Sequence, residues 1–214
     1  MDQRLKRMIP AFPSTPVVGL DSVLSDVAIE EKVDGANAGM MWFEDNAVIR
    51  NRTHVLVKGY TKKNTPAKIQ FRSAWGWLYK NKKKFQKLNK IFGTPVAVYG
   101  EWCYALHGIV YDRLPDWFIV FDLLLPEGFL PVDERREAIE EVGLVNVPLL
   151  YKGDATLGLI KDLTKIPSQY SSVDLVEGVY IKSPNVRYKM IREGYVQGQK
   201  WSDKEITKQK VINE

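Results

Sequence analysis

Residues 30–37 read Glu30-Glu31-Lys32-Val33-Asp34-Gly35-Ala36-Asn37, and the reading of this octapeptide organises the rest of the chain. Upstream, Val27 and Ile29 alternate with polar neighbours, the period-2 pattern of a strand, so 26–32 is expected to be one. Downstream, 38–43 is apolar again. Lys32 therefore stands where a strand ends and a turn begins. Asp34-Gly35 is turn chemistry, since Asp bonds its own backbone and Gly tolerates positive φ. A lysine at the mouth of a sheet can present its amine to a pocket, and an amine beside other cations can lose its proton and become a nucleophile. A solvated lysine before an ordinary turn reads equally well from these letters alone.

Charge sharpens the picture. The 214 residues carry a formal +5, but 46–100 contains 13 Lys and Arg and no acid. The remainder then holds 18 basic against 26 acidic residues, a balance of −8. Such asymmetry points to a polyanion-binding face joined to an acid-bearing body able to hold metal ions, with a phosphate backbone as the obvious polyanion. A solubilising surface is the plainer alternative. With 45% hydrophobic residues a sizeable core is expected, in one domain spanning 1–214. No apolar run approaches the ~20 residues that span a bilayer. Cys103 is the sole cysteine, expected as a small buried residue, which excludes internal disulfides and a cysteine zinc site. A reducing cytoplasm, bacterial or phage-infected, is the expected setting.

Along the chain, 9–16 is a proline-punctuated extended lead-in. Residues 38–43 and 47–52 read as a hairpin turning on Glu44-Asp45-Asn46, and 53–65 as a basic loop. From 67 to 92, Phe71, Trp75, Leu78, Phe85, Leu88 and Phe92 recur at helical spacing, interrupted at 80–84 by lysines. These aromatics are expected in the core; the lysines face solvent or a nucleic acid. Central strands are expected at 95–99 and 117–125, a helix N-capped by Asp133 and ending before Gly143, a strand at 146–151 and a short helix at 155–164. A last hairpin joins 178–182 to 187–192 through Ser183-Pro184-Asn185. Antiparallel pairs with helices in blocks predict an α+β fold.

Lys32, Arg52, Glu101, Glu177 and Lys189 all fall at predicted strand ends, where loops meet a sheet and sites collect. Singly, each has a plain reading as a surface, edge or turn residue. Their order is more telling. Lys32-Val33-Asp34-Gly35-Ala36-Asn37, Asn51-Arg52-Thr53, Tyr99-Gly100-Glu101-Trp102, Phe118-Ile119-Val120-Phe121-Asp122-Leu123, Glu177-Gly178-Val179-Tyr180-Ile181-Lys182 and Arg187-Tyr188-Lys189 form a series that resembles the covalent nucleotidyltransferase superfamily of ATP-dependent ligases and capping enzymes. Within it the chain is most similar to RNA ligases of the T4 RNA ligase 2 type and their shorter relatives, over about residues 28–201.

The resemblance implies a nucleotidyltransferase (adenylation) domain and a role for each matching residue. Lys32 is the implied nucleophile toward the α-phosphorus of ATP, with Glu31 beside the adenine. Asn37 and Arg52 orient the nucleotide and the nucleic-acid 5′-phosphate, and Glu101 binds the ribose. Phe121 packs on the adenine, with Phe118 as the fallback in register. Glu177 is the implied catalytic acid and metal ligand for Mg²⁺ or Mn²⁺, and Lys189 the catalytic, phosphate-contacting lysine. Nearby Lys189 or Mg²⁺ is expected to lower the proton affinity of Lys32. The implied reaction is self-adenylation with release of pyrophosphate, AMP transfer to an RNA 5′-phosphate, and sealing to a 3′-hydroxyl, as in RNA repair. The RNA is expected to contact the basic segment 46–100.

Asn37 stands where DNA ligases and capping enzymes usually carry arginine, which favours the RNA branch. The 25 residues after Lys189 are too few for an OB-fold or helical C-terminal domain, so a partner-dependent ligase subunit, completed by a partner protein or a missing domain, or a nucleic-acid end-binding module is the alternative expectation; a monomer is expected. DNA ligase and capping guanylyltransferase rank lower. Gln199-Lys200-Trp201 resembles a tail of the shorter relatives, with no chemistry assigned. His54 and His107 are expected to be structural or surface residues.

Overall fold

Strand β1 (Leu24–Glu31) ends one residue before Lys32, and β2 (Ala36–Phe43) starts just after Gly35. The turn between them is thus where the apolar pattern breaks. The computed structural model describes residues 7–17, 23–56, 69–183, 187–198 and 206–212. Within these, two sheets are built. The first takes β1, β9 (Leu149–Ala155), β10 (Gly178–Lys182) and β11 (Arg187–Ile191), in the order β11-β10-β1-β9, all antiparallel. The second is seven-stranded, β2 with β3 (Asn46–Asn51), β4 (Val55–Leu56), β5 (Ala97–Trp102), β6 (Phe118–Leu125), β7 (Gly128–Phe129) and β8 (Val145–Asn146). Only β8 joins it in parallel, beside β6. With helices α1 (Arg72–Lys80), α2 (Lys82–Phe92), α3 (Val132–Glu141) and α4 (Leu157–Leu163), the fold is α+β.

Period-2 alternation assigns the faces of the smaller sheet. Val27 and Ile29 of β1 and Val179 and Ile181 of β10 pack with Ile160 of α4 in a small apolar cluster. Their neighbours in sequence, Glu30, Tyr180 and Lys182, consequently face the other way, toward the larger sheet. The main core lies between the larger sheet and α1–α3, and includes Met40, Leu78, Phe85, Leu88, Val98, Trp102 and Ile139. Burying each such side chain stabilises the fold by about 1.5–3 kcal/mol. Cys103 is part of this core.

Several expectations are refined. The helical stretch is two helices that break at Asn81, whose amide donates back to Trp77 O. Phe71, Leu78, Phe85 and Leu88 are buried, and Trp77 is more deeply buried than Trp75. Asp133 does not cap α3. The N-cap is Pro131, and Asp133, in the first turn, pairs instead with Lys152 at 2.5 Å. The expected strand at 146–151 is split at Val147-Pro148 into β8 and β9, and the expected loop 53–65 contributes the short β4. The rest of that loop, Pro184-Asn185 and the tail at 199–201 lie outside the described residues.

The basic segment is divided. β2 leads away from Lys32 for eight residues, a span of about 24 Å. At its far end Lys82 sits over the Trp42 ring and near Asp45. Lys84 and Lys87 donate to Gly143 O and Glu141 O, docking α2 onto the carbonyl end of α3. Cations are favoured there because the helix C-terminus carries partial negative charge. The lysines of this run therefore stand at the opposite end of the larger sheet from Lys32, while Arg52 stays near it.

Candidate active site

The turn after β1 is held by Asp34. Its carboxylate is buried and accepts the backbone N–H of Gly108 at 2.5 Å and of Ile109 at 2.9 Å, and its own N–H donates to the Tyr111 hydroxyl at 2.7 Å. Charge-assisted bonds of this kind are stronger than neutral ones. Gly35 sits at a close approach: a Cβ there would lie 3.1 Å from Trp102 O and 3.2 Å from the Cys103 sulfur, so these neighbours would have to give by a few tenths of an ångström. Lys32 N–H donates to Gly178 O at 2.9 Å, which ties the turn to the start of β10. Gly178 is needed even more strictly, because a Cβ would lie 2.1 Å from Met190 O of β11.

These ties bring Lys32 Nζ to 2.6 Å from Glu177 Oε1, with both side chains nearly inaccessible. The pair lines a cavity of about 330 Å³ whose walls include Asn37, Arg52, Glu101, Tyr180 and Lys189. Asn37 of β2 stands directly opposite Glu101 of β5, and Tyr180 of β10 opposite Lys189 of β11. The main chain of Glu177 is fixed by Arg192, whose N–H donates to Glu177 O. Six of the eight residues marked out from sequence thus meet in one cavity, although they come from both sheets.

Glu31 and Phe121 do not line it. The Glu31 carboxylate points to the 168–169 loop, accepting Ser168 Oγ at 2.5 Å and Gln169 N–H at 3.2 Å. Phe121 lies behind the wall, 4.9 Å from Phe12 and 6.2 Å from Tyr180 between ring centroids, and both of those residues face the cavity. Phe118 is farther still, packed on Trp77 in the core.

Burial sets the electrostatics. It pushes Glu101 up to about 8 and Glu177 up to about 7, against the opposing charge of Lys32. For Lys32, burial pulls downward, but Glu177, then Tyr180 and Glu101, outweigh it and hold its proton affinity above the ordinary lysine value. This corrects the expectation of a lowered value: the nearest charge to the amine is the carboxylate of Glu177, not Lys189. The second Glu177 oxygen, Oε2, is buried and has no hydrogen-bond partner among the described residues. The arrangement is a buried ammonium–carboxylate pair whose amine would lose its proton more readily if the carboxylate were drawn elsewhere.

Further wall residues had no motif to mark them. Phe12, Pro13, Ser14 and Thr15 of the extended lead-in form one side. The lead-in is pinned by Arg50 Nη1 donating to Ile9 O, the Tyr99 hydroxyl donating to Pro10 O, and Lys189 N–H donating to Pro16 O. Tyr195 and Gln197 close another side, and His107 faces the cavity with a ring nitrogen 3.2 Å from Gln70 Oε1. Burial lowers the His107 proton affinity. Tyr180 alone had a usable signal, since alternation from Gly178 and Lys182 puts it on the inner face.

Comparison with known proteins agrees with the series of motifs. A search of curated protein sequences found no match. Among solved structures, an RNA ligase from Naegleria gruberi, in a variant solved with ATP and Mn, is 16% identical with a TM-score of 0.61, covering 86% of this chain and 56% of that one. The same ligase solved with pyrophosphate is 18% identical with a TM-score of 0.56, over 78% and 50%. This chain thus spans about half the length of the solved structures it matches, and at this identity the likeness speaks for the fold. The RNA ligase family model matches residues 25–201, most of the chain, and the chain belongs to that family.

Proposed function

We propose that this protein is an ATP-dependent RNA ligase whose 1–214 unit is one adenylation domain, and that Lys32 becomes covalently adenylated. The supporting observation is the buried Lys32–Glu177 pair in a cavity also walled by Arg52, Glu101 and Lys189. In the first step Lys32 Nζ, having released its ammonium proton to solvent, attacks the α-phosphorus of ATP and loses a second N–H proton as the phosphoramidate forms. A P–N bond forms, the bond to the bridging oxygen breaks, and pyrophosphate leaves. Negative charge on the phosphate oxygens is met by Lys189 and Arg52, the kind of preorganised stabilisation that dominates phosphoryl and nucleotidyl transfer. Glu101 receives the ribose, and Tyr180 with Phe121 behind it offers a flat apolar surface to the base.

The donor set fits a divalent cation in part. Among the described residues Glu177 Oε2 is a buried carboxylate oxygen without a hydrogen-bond partner, but no group of three or more His, Cys, Asp or Glu could hold a metal. Glu177 would hold Mg²⁺ or Mn²⁺ together with the nucleotide's phosphates and waters, as is usual for Mg²⁺. Such an ion would neutralise phosphate charge. Drawing Glu177 away from Lys32 removes the charge that keeps the amine protonated, so substrate arrival unmasks the nucleophile.

AMP is then passed to an RNA 5′-phosphate, and a 3′-hydroxyl displaces it to seal the strand. Arg52, exposed at the cavity mouth, is placed to receive that phosphate. A second reading is a subunit that adenylates itself but seals only with a partner. Incubation with α-labelled ATP and Mg²⁺ is expected to label the protein, and Lys32→Ala to abolish the label. A label that survives this change sinks the assignment of Lys32. Chasing the adduct with nicked RNA separates the two readings: sealing supports the autonomous ligase.

A further inference from the structure

Residues 206–212 lie past the point where the family match ends, at 201, yet they are bonded to the loop that anchors the nucleophile turn. Along this segment Leu106 N–H donates to Thr207 O, Gln209 N–H to Tyr104 O, Lys210 N–H to Tyr111 O and Ile212 N–H to Leu114 O. The segment thereby bridges to Ala105 in antiparallel fashion and to Leu114 in parallel. At its centre Gln209 is buried, at 5% exposure. Its Oε1 accepts Tyr111 N–H at 2.9 Å and its Nε2 donates to Ile109 O at 2.7 Å.

Ile109 and Tyr111 are thus gripped from both sides. The Ile109 carbonyl accepts from Gln209 and its N–H donates to Asp34, while Tyr111 N–H donates to Gln209 and the Tyr111 hydroxyl accepts the Asp34 backbone N–H. Between β5 and β6 this loop forms no named strand among the described residues; its outer part, 110–113, is tied to the 170–174 loop, where Val110 N–H donates to Asp174 Oδ2, Arg113 N–H to Tyr170 O and Ser172 N–H to Asp112 Oδ1, while its inner part is held by Asp34 and Gln209. Asp34 is two residues from Lys32.

We infer that segment 206–212 is an intramolecular latch and Gln209 a positioning residue, holding the 104–114 loop in the form that sets Asp34 and through it the Lys32 amine. The inference rests on the reading of Lys32 as the self-adenylating nucleophile. Gln209 is not among the residues lining the cavity. Its loss should therefore slow the covalent step more than it weakens nucleotide binding, because small displacements of a reacting group cost far more in rate than in affinity.

The test uses the full chain in two variants. Gln209→Met keeps the length and removes both bonds; Gln209→Glu keeps the acceptor for Tyr111 N–H and loses the donor to Ile109 O. The maximal adenylation rate is expected to fall about tenfold or more for the methionine variant and less for the glutamate, with half-saturation by ATP within about twofold of wild type. Amide exchange at Gly108 and Ile109 should quicken in parallel, while that of β5 stays unchanged. An unchanged rate in Gln209→Met overturns the proposal, as does a lost rate with unchanged exchange at Gly108 and Ile109, or exchange that quickens across the whole fold. If the methionine variant does not fold, an unchanged rate in Gln209→Glu overturns it equally. Wild-type protein that forms no adduct would instead sink the adenylation reading and with it any role of Gln209 in the rate. Exchange at Gly108 and Ile109 still judges the latch itself.

Discussion

Two lysine–glutamate pairs are buried on the inner face of the smaller sheet, and they behave in opposite ways. One is Lys32 with Glu177, at 2.6 Å; the other is Lys182 with Glu30, at 3.1 Å. In each, one partner comes from β1 or the residue after it and the other from β10 or the residue before it. Their surroundings differ. Glu30 also meets Arg135 and Arg136, and Lys182 also reaches Asp122 and donates to Phe121 O. Burial pushes Glu30 upward, but Lys182 and Arg135 outweigh it and hold the carboxyl below its usual range. Among the described residues Glu177 has Lys32 at close range, with Asp34 opposing and Lys189 adding a smaller cationic pull, so burial wins and its carboxyl rises to about 7. A surplus of cations makes a fixed strut; a deficit leaves a carboxylate ready to trade partners. The carboxyls of two like pairs shift in opposite directions because of what packs around them.

Substitutions at the two pairs should separate those roles. The largest effect expected is loss of the covalent adduct in Lys32→Ala, with folding intact by circular dichroism. Next, Glu30→Ala leaves Arg135 as an uncompensated buried cation and takes one of two carboxylates from Lys182, and should destabilise the protein by about 3–5 kcal/mol in urea unfolding. A loss under about 1 kcal/mol would show that this pair is not the strut described.

Glu177→Gln is expected to lower the adenylation rate about a hundredfold, or ~2.7 kcal/mol. The residual activity should have its alkaline-side rise moved to lower pH, since removing the counter-ion lowers the Lys32 proton affinity. A rise left at the wild-type pH would count against electrostatic coupling of the pair. The smallest effect concerns Glu101. Its carboxyl and that of Glu177 rise from the usual 4.5 to about 8 and about 7, so between those values and 4.5 the folded protein holds protons that the unfolded chain releases. Stability should therefore fall as pH climbs from about 4.5 to 8. Glu101→Gln removes one of the two groups and should make that decline shallower by about 1–2 kcal/mol, read from thermal unfolding across the range. An identical decline in both proteins would refute the assignment to Glu101.

Much of the site was legible because motifs compress it. Lys32, Asp34 and Gly35 are adjacent, and Glu177 and Lys189 each sit beside a strand whose alternation can be read by eye. Less legible was everything that depends on a distant neighbour. Glu30 and Glu31 are the same letter twice, yet one is bound by arginines more than a hundred residues away and the other by Ser168. Phe121 is marked by its motif, but Phe12 and Tyr180 stand between it and the cavity. The lysines at 80–84 were expected to face solvent or a nucleic acid, and only the fold sets Lys82 over Trp42 and Lys84 on Gly143 O, at the end of the sheet remote from Lys32.

By itself, then, the sequence determined the strand-turn-strand around Lys32, the α+β class, the family and which charged residues would meet. Those follow from local periodicity and turn chemistry, which act over a few residues. Tertiary structure alone decided that Lys32 is held as an ammonium by Glu177, that Asp34 is gripped by Gly108 and Ile109, and that Gln209 stands behind them. A charge buried in a low-dielectric interior takes its protonation state from whatever the fold places within a few ångströms of it, and no periodicity along the chain encodes that distance.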